Sequence, residues 1–166
     1  MKRLSTLLVV SAALLASTAG ANSTVAFCKG SQLSGTFAAV PNSAGAGTIV
    51  YKLALKNISS AQCALTGLPQ GQLLGKTGNA LPTHIIAGQP GALTAILVRL
   101  SPGKKAYATA RFSPDVPGPG EHTLGQCEAK SWYFRVTAKG GGTTKVKVAP
   151  PTPVCEHGQL QFKAYS

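Results

Sequence analysis

The chain has 166 residues, of which 16 are Lys or Arg and four are Asp or Glu, giving a formal charge of +12 at pH 7. This length is enough for one domain with a hydrophobic core. The four acidic residues offer little material for catalysis by paired carboxylates.

The first residues have the features of an export signal. Two basic residues precede a short apolar segment, Leu7 to Ala16, and the small residues of "AGA" follow it. This order predicts a signal peptide over residues 1–21, with cleavage after Ala21. The apolar segment is shorter than the ~20 residues that a membrane-spanning helix needs, so we expect no integral membrane protein. We expect residues 22–166 to form a single secreted or periplasmic domain.

The rest of the chain is a series of short segments in which apolar and polar residues alternate. A period of two is typical of half-buried antiparallel strands. The clearest segments are TIVYKLALK, KAYATARF, WYFRVT, TKVKV and QLQFKA. Further candidates are QLSGTFAAV, QLLGK, THIIA and LTAILVRL.

Turns rich in Gly, Pro, Asn and Ser separate these segments, and none of the segments after the signal keeps a helical period. Eight or nine short strands in one domain predict an all-β fold, a two-sheet antiparallel β-sandwich. The single tryptophan, Trp132, lies on the apolar side of its segment and is the predicted core anchor.

Four cysteines in an exported chain favour two disulfides over a thiol enzyme or a zinc site, because no Cys-x-x-Cys spacing is present. Cys28 precedes the first predicted strand and Cys63 follows the second. Cys127 and Cys155 flank a later predicted hairpin in the same way. Since antiparallel neighbours bring such flanks together, the strand order favours the pairs Cys28–Cys63 and Cys127–Cys155.

The order of several motifs is similar to a known family. The motifs are "CKGSQLSG", an Asn shortly before "CALTGLP", then "LSPGKKAYATARF", a third cysteine before a hydrophobic strand, and "PVCEHGQLQF". Together they resemble the secreted bacterial DUF4232 family, from Cys28 to Phe162. Phe112 stands where the family often has tryptophan. The resemblance implies an immunoglobulin-like β-sandwich, exported or associated with the cell envelope, and it implies no activity.

The sequence predicts no catalytic residues, no cofactor and no enzyme. "GEH" and "CEH" each place a carboxylate beside a histidine, but adjacent residues point to opposite sides of an extended chain. No Gly-x-Ser-x-Gly motif is present either. We therefore expect a non-catalytic binding or interaction module with an unidentified partner, either an anionic envelope polymer or another envelope protein.

A less favoured alternative is a copper carrier of the cupredoxin type. Its ligands would be Cys155 and His157 of "CEHG", with His84 or His122. Such sites use a free thiolate and an axial methionine. Because Met1 is the only methionine and Cys155 is assigned to a disulfide, we expect no metal site.

The second alternative is a basic surface that binds anionic polymers or lipid headgroups, because a strongly positive chain is attracted to anionic surfaces. The cations are scattered, with no basic run of the kind found in nucleic-acid-binding arms. Several lie beside tyrosines on the polar sides of the predicted strands, a pairing that suits sugars or phosphates. The candidate residues are Lys105, Tyr107, Arg111, Tyr133, Arg135, Lys145 and Lys147. An ordinary solvated sheet face is the competing interpretation.

The tripeptide "NIS" at Asn57 matches the acceptor pattern for N-glycosylation. Asn57 also ends a predicted strand. We therefore interpret Asn57 as a turn residue.

Overall fold

A computed structural model describes residues 24–89 and 96–166. The predicted signal peptide, residues 1–21, lies outside the described residues. The described chain has ten strands, one 3-10 turn at Gly30–Gln32 and one helical turn at Cys155–Gly158. The strands are β1 (Leu33–Ala39), β2 (Ile49–Asn57), β3 (Cys63–Thr66), β4 (Gln70–Leu74), β5 (His84–Ala87), β6 (Leu97–Leu100), β7 (Lys105–Phe112), β8 (Ser131–Thr137), β9 (Thr143–Thr152) and β10 (Gln159–Phe162).

Eight strands form one continuous sheet in the order β4-β8-β9-β1-β2-β7-β10-β5, and β3 pairs with β6. The all-β prediction is confirmed. The expectation of antiparallel pairing throughout is wrong for two pairs, because β1 runs parallel to β9 and β10 runs parallel to β5. The strands in each parallel pair are far apart in sequence. Their pairing therefore depends on the closure of the whole sheet, which local turns do not specify.

The large sheet folds over onto itself around the core. Phe134 of β8 and Phe162 of β10 have ring centroids 5.8 Å apart, although their strands are five positions apart in the sheet order. At about 4.8 Å per strand, a flat sheet would separate them by about 24 Å. Phe37 of β1 contacts both rings, at 5.5 and 5.9 Å. Strands β8 and β10 therefore face each other across the interior.

The alternation in the sequence correctly predicts which residues enter this core. On β2, Tyr51, Leu53 and Leu55 are buried, and their neighbours Lys52 and Lys56 are exposed. The apolar positions of the other clear segments are buried in the same way: Ala106, Ala108, Ala110, Phe112, Phe134, Val136, Val146, Val148, Leu160 and Phe162.

Trp132 is not the core anchor that the sequence suggested, because it is only partly buried. The pairing of β8 with β9 shifts at this point, from Ser131 opposite Thr152 to Tyr133 opposite Lys147. The irregularity leaves Trp132 without a partner on β9, and the Lys76 ammonium lies 5.3 Å from its ring. Six buried aromatic rings occupy the core instead: Phe37, Tyr51, Phe112, Phe134, Phe162 and Tyr165.

The two predicted disulfides are present, Cys28–Cys63 and Cys127–Cys155. The strand order explains both. Leu33 at the start of β1 lies opposite Asn57 at the end of β2, and β8 and β9 are also antiparallel neighbours. Each bond therefore joins the open end of an antiparallel pair.

Candidate anion-binding surfaces

The first group of basic side chains lies on the outer side of β2 and β7. Lys56 is directly opposite Lys105, and Lys52 is opposite Thr109. The Lys52 ammonium also lies 5.4 Å from the ring centroid of Tyr107, which is 41% exposed. The β2–β7 face is defined here by Lys52, Lys56, Lys105, Tyr107, Arg111 and Lys163.

Two depressions indent this face. The first, of ≈ 260 Å³, is lined by Ser34, Gly35, Thr36, Ala54, Lys56 and Lys105. Small side chains on β1 and β2 create the space because they are shorter than the lysines around them. Two lysines and two hydroxyl-bearing residues therefore line the same depression.

The second depression, of ≈ 320 Å³, lies where β10 joins β7. Arg111 and Lys163 line it, together with Thr109 and Gln161. The Arg111 guanidinium donates two hydrogen bonds to the Thr48 hydroxyl, at 3.1 and 2.9 Å, which fixes its orientation. Lys163 is absent from the surface predicted from sequence. Its alternation with buried Phe162 is the signal that identifies it as an outer residue.

The second group of basic side chains lies on β8 and β9. Arg135 is opposite Lys145, and Tyr133 is opposite Lys147. The Lys145 ammonium lies 4.7 Å from the Tyr133 ring centroid. The β8–β9 face is defined here by these four residues. It therefore repeats the combination of cations and tyrosine seen on the β2–β7 face.

The seven residues predicted as one surface are divided between these two faces. Lys105, Tyr107 and Arg111 belong to the β2–β7 face. The other four form the β8–β9 face. Strands β9, β1 and β2 separate β8 from β7, and the sheet folds over between them. Side chains that alternate with Phe134 on β8 therefore point away from those that alternate with Phe162 on β10.

None of the ten strands carries an acidic residue. The four acids of the chain are Asp115, Glu121, Glu128 and Glu156, all in the 113–130 connection or the helical turn after β9. The strand cations therefore have no carboxylate beside them within their own sheet. Such a surface attracts anions more strongly than one with interspersed charges of both signs.

Glu121 holds the 113–130 connection against the helical turn. Its carboxylate accepts backbone N–H groups from Gly118 at 2.6 Å, Glu156 at 2.8 Å and His157, and its side chain is 2% exposed. Burial alone would raise the pKa of Glu121, but these three N–H donors lower it below its usual value. Glu156 and His157 both have a φ of 57°, a left-handed conformation that is costly without such support.

We expect the substitution Glu121→Gln to lower the free energy of unfolding by about 2 kcal/mol, because the amide has one acceptor oxygen and no charge for three donors. Since the folded pKa is depressed, this stabilisation is fully present above pH ~4.5 and is lost as the pH falls through the folded value. Urea titrations at several pH values measure both effects. The control is Glu128→Gln, because Glu128 is adjacent to Cys127 of the Cys127–Cys155 disulfide. We expect this variant to change the free energy of unfolding by no more than about 0.5 kcal/mol.

The structure brings together one set of residues that the sequence did not connect. Potential ligand atoms of Glu121, Glu128 and His157 lie within 4.8 Å of one another. The Glu121 oxygens are already hydrogen-bonded to backbone, and the His157 Nε2 lies 3.0 Å from the Pro119 carbonyl oxygen. Cys155 is bonded to Cys127, so it provides no thiolate of the kind that the copper alternative needs.

Among residues 24–89 and 96–166, no helix has the length and apolarity to cross a membrane. A family model described as a domain of unknown function (DUF4232) matches residues 28–166. No curated protein and no solved structure is significantly similar to the chain.

Proposed function

We propose, since the chain belongs to the DUF4232 family of domains of unknown function, that it is an exported, non-catalytic binding module of the cell envelope that binds an anionic polymer. The observation that carries the proposal is the separation of charge on the sheet. Lysines and arginines occupy its outer positions, and all four acids lie between the strands.

Electrostatics favours a polymer over a small anion on such a surface. Each exposed cation attracts a single counterion weakly in water. A polyanion releases several condensed counterions when it binds several cations together, which makes the combined free energy large at low salt. Tyr107 and Tyr133 add flat rings on which sugars or bases pack.

Two features support location outside the cytoplasm. Disulfides persist in oxidising compartments, and the chain has two. The segment that ends at Ala21 has basic residues, an apolar segment and small residues in the order typical of a cleavable signal peptide. Within this proposal the fold is an immunoglobulin-like sandwich whose two layers are joined through β1, which bonds to both β2 and β9.

The second candidate partner is another envelope protein. The β2–β7 face offers little apolar surface to such a partner, since five of its six residues are cations. Protein interfaces are depleted of lysine in their buried centres. The polymer is therefore the better match for the chemistry of this face.

We expect fluorescein-labelled polyphosphate to bind the protein with an affinity that falls about 20-fold between about 0.05 M and about 0.15 M NaCl, if about four phosphates are neutralised. Fluorescence anisotropy measures this dependence. Dextran sulfate and neutral dextran are the matched pair of polymers, and we expect only dextran sulfate to compete. Equal affinity at both salt concentrations, or competition by neutral dextran, would contradict the proposal.

A further inference from the structure

We propose that a single extended polyanion crosses the strands of the large sheet along one row of outward side chains. The inference rests on the proposed function and gives the polymer its course on the surface. The row runs over the five adjacent strands β8, β9, β1, β2 and β7. We call it the cation row, and its members in that order are Arg135, Lys145, Ser34, Lys56 and Lys105.

Strand pairing places these residues side by side. Arg135 is opposite Lys145. Ser34 is opposite Lys56, and Lys56 is opposite Lys105. Directly opposite residues of antiparallel strands project from the same side of the sheet, with their Cβ atoms about 5 Å apart. The cation row therefore consists of two pairs of cations on either side of β1.

The parallel register between β9 and β1 joins the two pairs. Lys147 of β9 lies beside Thr36 of β1. Because the strands run in the same direction, the row members two positions earlier on each strand are also neighbours. The Thr144 hydroxyl donates to the Leu33 carbonyl at 2.9 Å, in the same register. The cation row is therefore continuous across β1, and it connects the β8–β9 face with the β2–β7 face.

The cation row is more densely charged than the row beside it. Four of its five residues are cations with exposed side chains. Adjacent strands are about 4.8 Å apart, so the row spans about 19 Å along the sheet. The next row on the same five strands contains one cation and consists of Tyr133, Lys147, Thr36, Ala54 and Tyr107. A polyanion that crosses the strands therefore meets the most positive charge along the cation row.

A course lengthwise over β1 is less favourable because two lysines reach away from that strand. The Lys145 ammonium lies 4.7 Å from the ring centroid of Tyr133 on β8. The Lys52 ammonium lies 5.4 Å from the ring centroid of Tyr107 on β7. Both tyrosines are on the far side of their lysine from β1. These two ammonium groups therefore do not close over β1, whereas a polymer that crosses the sheet passes the strands that carry them.

The cation row also contains repulsion that a polyanion relieves. Arg135 opposite Lys145 and Lys56 opposite Lys105 are pairs of like charge. Like charges directly opposite each other destabilise a sheet. None of the ten strands carries an acidic residue that would offset them. Anionic groups bound between the members of each pair supply the negative charge that the sheet lacks.

The centre of the cation row is low and polar. Ser34 takes the place of a cation there, and the depression of ≈ 260 Å³ that it lines extends to Lys56 and Lys105. The short side chain lets the polymer approach the sheet between the two pairs of cations. Its hydroxyl offers a hydrogen-bond donor to an anionic oxygen.

The test is the salt dependence of fluorescein-labelled polyphosphate binding to the full chain, measured by fluorescence anisotropy. If four phosphates contact the four cations, the wild-type affinity falls about 20-fold between about 0.05 M and about 0.15 M NaCl. In Arg135→Gln/Lys105→Gln two contacts remain, so we expect a fall of only about fivefold. We also expect its affinity at about 0.05 M NaCl to be more than about tenfold below that of the wild type. Lys56→Gln/Lys145→Gln removes the other two cations, and we expect the same result.

The matched control is Lys52→Gln/Lys147→Gln, which removes the same charge from the same surface outside the cation row. We expect it to keep the fall of about 20-fold and an affinity within about threefold of the wild type. Arg135→Lys/Lys105→Arg preserves the charge of the row, and we expect it to bind as the wild type does. Without polymer, we expect Arg135→Gln/Lys105→Gln to melt no lower than the control, because it relieves both like-charge pairs.

The possible results separate the two proposals. If the wild-type affinity does not depend on salt, the proposed function is wrong and the course of the polymer is wrong with it. If the control loses as much salt dependence as the two row variants, or if the charge-preserving variant loses it, the polymer does not follow the cation row and polyanion binding stands.

Discussion

A chain in which Cys28 and Cys63 are both replaced by alanine will have a free energy of unfolding about 4 kcal/mol below that of the wild type. The bond joins residues separated by 35 positions, and closing a loop of this length restricts the unfolded chain by that amount in the chain-entropy model. For a domain of this size the melting temperature will fall by about 12–16 °C. Circular dichroism melts and urea titrations measure the two quantities.

The Cys28–Cys63 bond also fixes the N-terminal segment to the core. The Cys28 N–H donates to the Ala64 carbonyl at 2.9 Å, and the Ala64 N–H donates to the Ala26 carbonyl at 2.9 Å. We therefore expect faster amide exchange near Cys28 in Cys28→Ala/Cys63→Ala.

The matched control is Cys127→Ala/Cys155→Ala, whose bond spans 28 residues and has nearly the same entropic effect. In this variant the amides near Cys28 stay protected. If Cys28→Ala/Cys63→Ala is within about 1 kcal/mol of the wild type, the bond does not have the predicted role.

The alternation of apolar and polar residues was sufficient to predict which side of most strands is buried, because this period of two is a local property of the sequence. Strand β3 shows the limit of this signal. Its residues Cys63, Ala64 and Leu65 are all buried, so the segment has no period of two. Ala64 is covered by the N-terminal segment through its bridge to Phe27, a contact between distant residues. A four-residue strand buried on both sides resembles any short apolar run.

The candidate surfaces also combine properties that depend on sequence neighbours with properties that depend on residues far apart in the chain. The sequence indicates that Lys105 and Arg135 point outward, since each is adjacent to a residue that enters the core. It does not indicate that they lie on strands separated by β9, β1 and β2. That property depends on the strand order and on the folding of the sheet around Phe134 and Phe162, which no local pattern specifies.

Asn57 makes both local and long-range contacts. Its position at the end of β2 confirms the interpretation as a residue that ends a strand, and its contacts with Ser59 are those of a local turn. Its amide nitrogen also donates to the Leu100 carbonyl at 2.9 Å, 43 residues away, and to the Ala61 carbonyl at 2.8 Å. The side chain is fully buried. The nitrogen to which a glycan would be attached is therefore enclosed in the folded chain.

We expect Asn57→Ala to lower the free energy of unfolding by about 3 kcal/mol. The substitution leaves the buried carbonyl of Leu100 and the N–H of Ser59 without their side-chain partner, while the Ala61 carbonyl keeps the Ser59 hydroxyl as a donor. Leaving a buried polar group without a partner costs about 1–3 kcal/mol, and relaxation with water near Ser59 recovers part of the sum. Urea unfolding followed by tryptophan fluorescence measures the change.

Two further variants identify the hydrogen bonds as the cause. Asn57→Asp keeps an acceptor for Ser59 but directs oxygen at the carbonyls of Ala61 and Leu100, so we expect it to be at least as destabilising as Asn57→Ala at neutral pH. Ser59→Ala removes only a hydroxyl from the same turn, and we expect a loss of less than about 1 kcal/mol. If Asn57→Ala were no less stable than Ser59→Ala, the long-range bonds of Asn57 would not hold the start of β3 against the end of β6.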